Sequence, residues 1–310
     1  MTRSSAPHFY RTTAGMTVSS LGIGTYLNAS VDALLAAAEN GINFFDTAIN
    51  YRQQQSERDI GAALRQSDRD EIVVCTKAGF LTPGAIPDFL QQDDVVGGMH
   101  SMSPDFLADQ IDRSRSNLGV ETIDVFYLHN PETQLGFRTR EEFDERIRRA
   151  FGRLEQLVAQ KKIRWYGVAT WDGLRKKDAL SLPRLAEIAA REGGPEHHFR
   201  FVQLPFNLGM VEAYIDRPES VLQAAARLGI AVIASATLMQ TRILANMPDS
   251  VQELLPGLET DAQRAIQFTR STPGISVALV GMGKREHVLE NVRVARVRPA
   301  TAEEYQRLYR

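Results

Sequence analysis

Cysteine is nearly missing from this chain of 310 residues, with Cys75 standing alone. A lone thiol forms no intrachain disulfide and no cysteine metal cluster. It lies within Glu71–Lys77 (EIVVCTK), a stretch patterned as a buried strand. It is therefore expected to pack as a small apolar residue, not to act as a nucleophile. A basic excess is missing too. Lys+Arg number 36 against 38 for Asp+Glu, a formal charge of -2, whereas proteins that bind nucleic acid or anionic membranes usually carry clustered positive charge. Neither partner is expected, and the clusters Arg146–Arg149 and Lys176–Lys177 read as solvated helix faces. No apolar run is long enough to span a bilayer. The opening MTRSSAPHFYRTT lacks the apolar centre of a signal peptide, so a reduced, cytoplasmic compartment is the expectation.

Hydrophobic residues make up 43% of the chain, enough to bury a substantial core. Phe9–Thr13 and Met16–Ser19, joined at Ala14-Gly15, read as a hairpin. Eight short apolar runs follow: Leu21–Thr25, Ile42–Asp46, Ile72–Lys77, Ile123–His129, Arg164–Ala169, Phe201–Leu204, Ala231–Ser235 and Ser276–Val280. Between them fit Val31–Asn40, capped by Ser30 and stopped by Gly41, and Ser56–Arg65. Ser103 and Pro104 open a helix to Leu118, stopped by Gly119. Glu141–Lys161 has helical apolar spacing, and Leu182–Arg191, Pro218–Leu228, Asp261–Thr269 and Lys284–Val292 complete the set. Repeated strand-then-helix units predict an α/β fold, a (β/α)8 TIM barrel with an N-terminal hairpin, as a single domain over residues 1–310. A doubly wound open sheet is the alternative. Against it, Gly22-Ile23-Gly24-Thr25 offers only a G-x-G where that fold carries G-x-G-x-x-G. The long irregular stretches Leu81–Met102, Asn130–Arg140 and Met239–Leu258 then belong to the C-terminal rim, where barrel active sites lie.

Polar residues mark the ends of the early strands. Asp46 ends the second with Tyr51 shortly after, Lys77 ends the third and His129 the fourth. In a barrel these ends meet at one mouth. A free phenol has a pKa of about 10, a poor acid or base at neutral pH. An adjacent ammonium lowers it, and Asp46 would hold Lys77 in place and charged. His129, as a neutral donor, would orient a carbonyl oxygen beside Tyr51. Tuning of this kind typically contributes roughly 10²–10⁴-fold in rate.

From Met16 to Asn291 the chain resembles the aldo-keto reductase family. Met16–Thr25 (MTVSSLGIGT), Ile42–Ala63 (INFFDTAINYRQQQSERDIGAA) and Ile123–Pro131 (IDVFYLHNP) carry the likeness. It implies NADPH-dependent reduction of aldehydes or ketones, with Tyr51 as proton donor, Lys77 and Asp46 as its tuning pair, and His129 orienting the carbonyl. It also implies nucleotide contacts at Gly24, Thr25, Thr170, Gln203 and Ser235. Gln203, in Phe201–Asn207 (FVQLPFN), would grip the carboxamide. In Gly281–Asn291 (GMGKREHVLEN), it implies Gly281, Gly283, Lys284, Arg285, His287, Glu290 and Asn291. There, Lys284 and Arg285 would hold a 2′-phosphate, favouring NADP(H) over NAD(H), while Glu290 and Asn291 would bind adenine. The chain departs from the family pattern with Ala169-Thr170 where Ser-Asn is common, Ser235 where an aromatic often stacks on the nicotinamide, and His287 where Arg or Gln is common.

Tyr26, Asn130, Trp171 and Phe206 each follow a strand. They are candidates to line the space for a small carbonyl substrate, or are ordinary rim packing. His197-His198 reads as an exposed loop, since adjacent residues rarely present matched metal-ligand geometry. Two other functions fit the same residues. Lys77 could form a Schiff base in a barrel lyase, or the chain could bind nucleotide as a regulatory subunit with little turnover.

Overall fold

The computed structural model describes residues 6–176, 179–216 and 218–309; Met1–Ser5 of the opening segment and Lys177 of the second basic cluster lie outside them. The hairpin pairs β1 (Tyr10–Thr13) with β2 (Met16–Ser19). Next come β3 (Leu21–Gly24), α1 (Val31–Glu39), β4 (Phe44–Asp46), α2 (Gln55–Leu64) and β5 (Val73–Ala78). A two-stranded insert, β6 (Val95–Val96) and β7 (His100–Ser101), precedes α3 (Pro104–Leu118). Then follow β8 (Ile123–His129), α4 (Arg140–Ala159), β9 (Ile163–Ala169), α5 (Leu182–Gly193) and β10 (Phe199–Pro205). The last third holds α6 (Glu212–Ile215), α7 (Val221–Leu228), β11 (Ala231–Ser235), α8 (Asp249–Leu254), α9 (Asp261–Ser271), β12 (Ile275–Gly281), α10 (Arg285–Asn291) and α11 (Ala302–Gln306). Eight parallel strands close in the order β3, β4, β5, β8, β9, β10, β11, β12. This is the predicted barrel, and the open-sheet alternative is excluded by its closure. No described helix is long and apolar enough to cross a membrane.

Strand parity decides what faces the axis, because successive side chains point to opposite faces. Leu21, Ile23, Phe45, Val74, Phe126, Leu128, Val202 and Leu204 face outward into the helix-packed core. Phe44, Val73, Cys75, Val125, Tyr127, Phe201, Ile233, Val277 and Leu279 fill the interior. Met16 and Val18 of β2 belong to that inner cluster, so the hairpin plugs the barrel floor. Cys75 is a buried interior residue, as expected. Continued along each strand, the same parity turns Gly24, Asp46, Lys77, His129, Gln203, Ser235 and Gly281 toward the axis at the C-terminal mouth.

Caps match local chemistry. Ser30 accepts from Ala33 N–H, and Gly119 ends α3 at φ 68°. Ser103 precedes Pro104 as expected but makes no side-chain cap. The insert β6–β7 and the short helices α6, α8 and α11 carry too few periodic residues to be read in advance. Below the floor, Arg270 is fully buried and pairs with no carboxylate among the described residues. Its guanidinium donates to the carbonyls of His8, Val294 and Val297 and to Ser20 and Gln267. Burial, then repulsion from Arg11, pulls its pKa down to about 9.

Gly167 sits where β9 meets the irregular register of β10. A Cβ there would lie 2.1 Å from the Phe201 carbonyl oxygen, so the two strands approach only because the side chain is missing. Gly167→Ala should lower stability by about 2 kcal/mol or more, read as a shifted urea midpoint.

Candidate active site

The mouth is organised by one buried ion pair. Lys77 Nζ donates to Asp46 Oδ1 at 2.6 Å and to the Thr47 carbonyl at 2.7 Å. Gln203 reaches across the barrel and donates to Asp46 Oδ2 at 2.8 Å, so both carboxylate oxygens are satisfied. Burial pulls the Lys77 pKa down, but Asp46 and Tyr51 more than compensate and hold it above the ordinary value. Burial raises Asp46, and Lys77 opposes that rise. Lys77 is therefore a protonated ammonium.

Tyr51 is held over this ammonium by the turn after β4. Thr47 and Ile49 N–H groups donate to the Cys75 and Lys77 carbonyls. Arg52, Gln53 and Gln54 then take φ of 49°, 52° and 72° in succession, a left-handed run that side chains other than glycine's rarely adopt. The run is anchored by the Arg52–Asp59 ion pair at 2.7 Å, by Asn117 on Gln54 at 3.1 Å, and by Ser56 Oγ on the Thr25 carbonyl at 3.1 Å. Lys77 Nζ lies 5.2 Å from the Tyr51 ring centroid. The Tyr26 and His129 rings meet Tyr51 edge-on, at 5.1 and 5.8 Å. Sequence reasoning expected a lowered phenol pKa. Burial instead raises it and outweighs the opposing pull of Lys77, so without bound ligand Tyr51 is a protonated phenol.

His129 is buried, and its pKa is pulled well below the ordinary value by burial, then by Lys77 and by His100. It is a neutral imidazole. Its Nδ1 has no partner among the described residues. Sequence reasoning missed His100, which is fully buried. Its Nε2 lies 2.8 Å from the His129 carbonyl oxygen, and Gln134 Nε2 lies 3.1 Å from its Nδ1. The only sign of it in the sequence was a histidine inside an irregular rim loop.

The remaining candidates divide. Gly24 and Gly281 pair in register, and a Cβ on Gly24 would meet nothing within 4 Å. Ser235 is half-buried at the end of β11. Thr25 is buried, its hydroxyl donating to the Asp46 carbonyl. Tyr26 and Trp171 are exposed, at 59% and 49%, and Asn130 is half-buried with φ 48°. Phe206 is not at the mouth: it is fully buried and stacked on Phe268 at 6.1 Å, because parity after β10 turns it into the helix-packed core. The Thr170 hydroxyl is committed to Glu132 at 2.6 Å. The same Glu132 oxygen also takes the N–H groups of Trp171, Asp172 and Gly173. Glu132 was missed because a single carboxylate after Asn-Pro has no periodic signature.

Lys284 and His287 are exposed, and the Gly283 carbonyl accepts from Ser30 N–H. Arg285 is not free: it pairs with Asp32 at 3.3 Å and Glu39 at 2.9 Å on α1. Glu290 accepts from Thr260, while Asn291 is buried with an unpartnered Oδ1 among the described residues. His197-His198 is half-buried, not an exposed loop. Glu155 on α4 binds both the N–H and the ring of His198 at 2.7 Å, folding that loop onto the helix.

A model of the aldo/keto reductase family matches residues 20–253. The chain belongs to this family of oxidoreductases. Among curated relatives, D-threo-aldose 1-dehydrogenase of a Pseudomonas species is 32% identical over 187 residues, 54% of this chain and 54% of that protein; the match thus spans about half that dehydrogenase's length. The uncharacterized oxidoreductase YqkF of Bacillus subtilis is 25% identical over 303 residues, 93% of this chain and 89% of that one. Among solved structures, an aldo/keto reductase from Klebsiella pneumoniae in complex with NADP and acetate superposes with a TM-score of 0.71 at 21% identity, covering 97% of this aldo/keto reductase and 95% of that chain.

Burial lowers the His100 pKa from 6.5 to about 4, against the raising effect of its bond to the His129 backbone. The unfolded chain thus takes up a proton between those values that the folded chain refuses. The stability contribution is complete above pH 6.5 and is lost as pH falls toward 4. Urea titrations at about pH 7 and pH 4.5 should show wild type losing about 2 kcal/mol more than His100→Gln. Equal losses would contradict the assignment.

Proposed function

We propose that the chain acts as one barrel domain, an NADPH-dependent reductase of aldehyde or ketone carbonyls. The observation that carries this reading is the buried Asp46–Lys77 pair against the face of Tyr51, with the neutral His129 ring edge-on to the phenol. Asp46 holds Lys77 charged. Lys77 faces the ring whose hydroxyl would give its proton to a carbonyl oxygen, and its charge stabilises the phenolate left behind. His129 donates a hydrogen bond to that oxygen and sets its approach. Because Lys77 is a protonated ammonium with two oxygen acceptors, the free amine that a Schiff-base lyase needs is not available.

The residues present fit a nucleotide. Gly24 leaves open space beside Gly281, and the buried Asn291 amide oxygen lacks a partner among the described residues. Gly24, Gln203, Ser235, Gly281, Gly283, Lys284, His287 and Asn291 would hold it; Thr25 and Thr170 would brace the adjacent strand ends. When bound, reduced nicotinamide supplies the hydride. The NADP in the Klebsiella relative supports the phosphorylated form. With Arg285 tied to α1 and Lys284 exposed, Lys284 is the cation to meet a 2′-phosphate.

Tyr51→Phe should lower kcat by about 10²-fold or more in NADPH oxidation with a panel of aldehydes and ketones. Nucleotide affinity, read by protein fluorescence, should not change; unchanged turnover would remove Tyr51 from the acid role. Wild type should bind NADPH more tightly than NADH, and Lys284→Ala should shrink that preference by about tenfold. An unaltered ratio would assign the phosphate elsewhere.

A further inference from the structure

His100 is a buried imidazole that the proton path above does not use. It arrives on the β6–β7 insert, which is clipped to the end of β5. Ser101 N–H donates to the Gly79 carbonyl and Leu81 N–H to the Met99 carbonyl, both at 2.8 Å, while Phe80 and His100 form a β-bridge. The His129 carbonyl only accepts and the Gln134 amide nitrogen only donates, so the His100 proton sits on Nε2. The gap this bond crosses is narrow. A Cβ on Gly79 would lie 2.6 Å from His100 Nε2 and 2.6 Å from the His129 oxygen, so the residue between Ala78 and Phe80 has to be glycine.

A working imidazole is usually oriented by the bond its second ring nitrogen makes. His129 lacks that bond on Nδ1 among the described residues. Its orientation therefore rests on its main chain and on the rings that touch it. Phe80 meets the His129 ring edge-on at 5.2 Å and the His100 ring edge-on at 5.2 Å. His100 thus bears on His129 by two routes, through the carbonyl and through Phe80.

We propose that His100 is a positioning residue, pinning the His129 main chain and backing its ring through Phe80 so that the imidazole holds a substrate carbonyl beside Tyr51. The proposal rests on the carbonyl-orienting reading of His129. Two substitutions separate the hydrogen bond from packing. His100→Gln keeps a donor for His129 and an acceptor for Gln134, and His100→Phe keeps the contact with Phe80 but loses the donor. Displacing a catalytic group by an ångström costs up to about a hundredfold, so His100→Phe should lower kcat by about ten- to a hundredfold. His100→Gln should stay within about threefold of wild type, a change of under about 1 kcal/mol in the activation barrier. Nucleotide affinity should be unchanged in both. Wild-type kcat in His100→Phe overturns the proposal, as does a parallel loss of activity and nucleotide affinity in both variants. The imidazole ¹⁵N resonances of His129 give a readout without turnover: they should shift in His100→Phe and stay in place in His100→Gln. A wild-type protein that reduces no carbonyl would sink the reading of His129, whereas an unmoved His129 resonance in His100→Phe sinks the positioning role.

Discussion

The mouth of this barrel depends on a charge pair that water does not reach. Lys77 and Asp46 have side chains only 1% and 5% exposed, and taking two ions out of water costs several kcal/mol each after relaxation. Such a pair survives only where its remaining lone pairs and protons are met. Here the Thr47 carbonyl and Gln203 amide meet them. Those partners come from the turn after β4 and from a strand across the barrel. Closure of the sheet is therefore what makes the pair tolerable, and the pair in turn gives Tyr51 an ammonium to face.

Much of this was legible because strand parity is a local rule with a global consequence. Alternation in Val73-Val74-Cys75-Thr76-Lys77 and in Val125-Phe126-Tyr127-Leu128-His129 fixes which side chains share the axis, and parallel closure then brings their ends together. Asp46, Lys77 and His129 follow from that alone, Tyr51 was read from its place shortly after the Asp46 strand end, and the resemblance to a known family added its role as proton donor. Phe206 was misplaced because the same alternation, carried one residue past Pro205, points it outward into the helix-packed core with Val202 and Leu204. The pairing of Arg285 was not visible because its partners, Asp32 and Glu39, lie some 250 positions away in sequence. The raised phenol pKa was hidden for a related reason: residue type shows the ammonium but not the burial that outweighs it.

What escaped the sequence sits on the rim. Glu132 gathers the Thr170 hydroxyl and three successive N–H groups onto one oxygen, occupying with a carboxylate of its own chain a turn that would otherwise attract an external anion. The Thr170 hydroxyl is thereby already committed, while Gln203 presents its side-chain amide to Asp46 in the axial layer. His100 and Gln134 tie the loops after β5 and β8 to each other. Neither arrangement has a period or a motif; each exists only once the strands have set where the loops begin.

The left-handed run at Arg52, Gln53 and Gln54 has a consequence for how this protein tolerates change. Each residue there sits in a backbone well that glycine occupies freely, at a cost of about 1 kcal/mol or more apiece. Glycine in this stretch would relax the folded loop, yet it would also loosen the tether on the phenol. Under the proposed role of Tyr51, robustness to heat and speed of turnover would therefore pull in opposite directions within three consecutive positions.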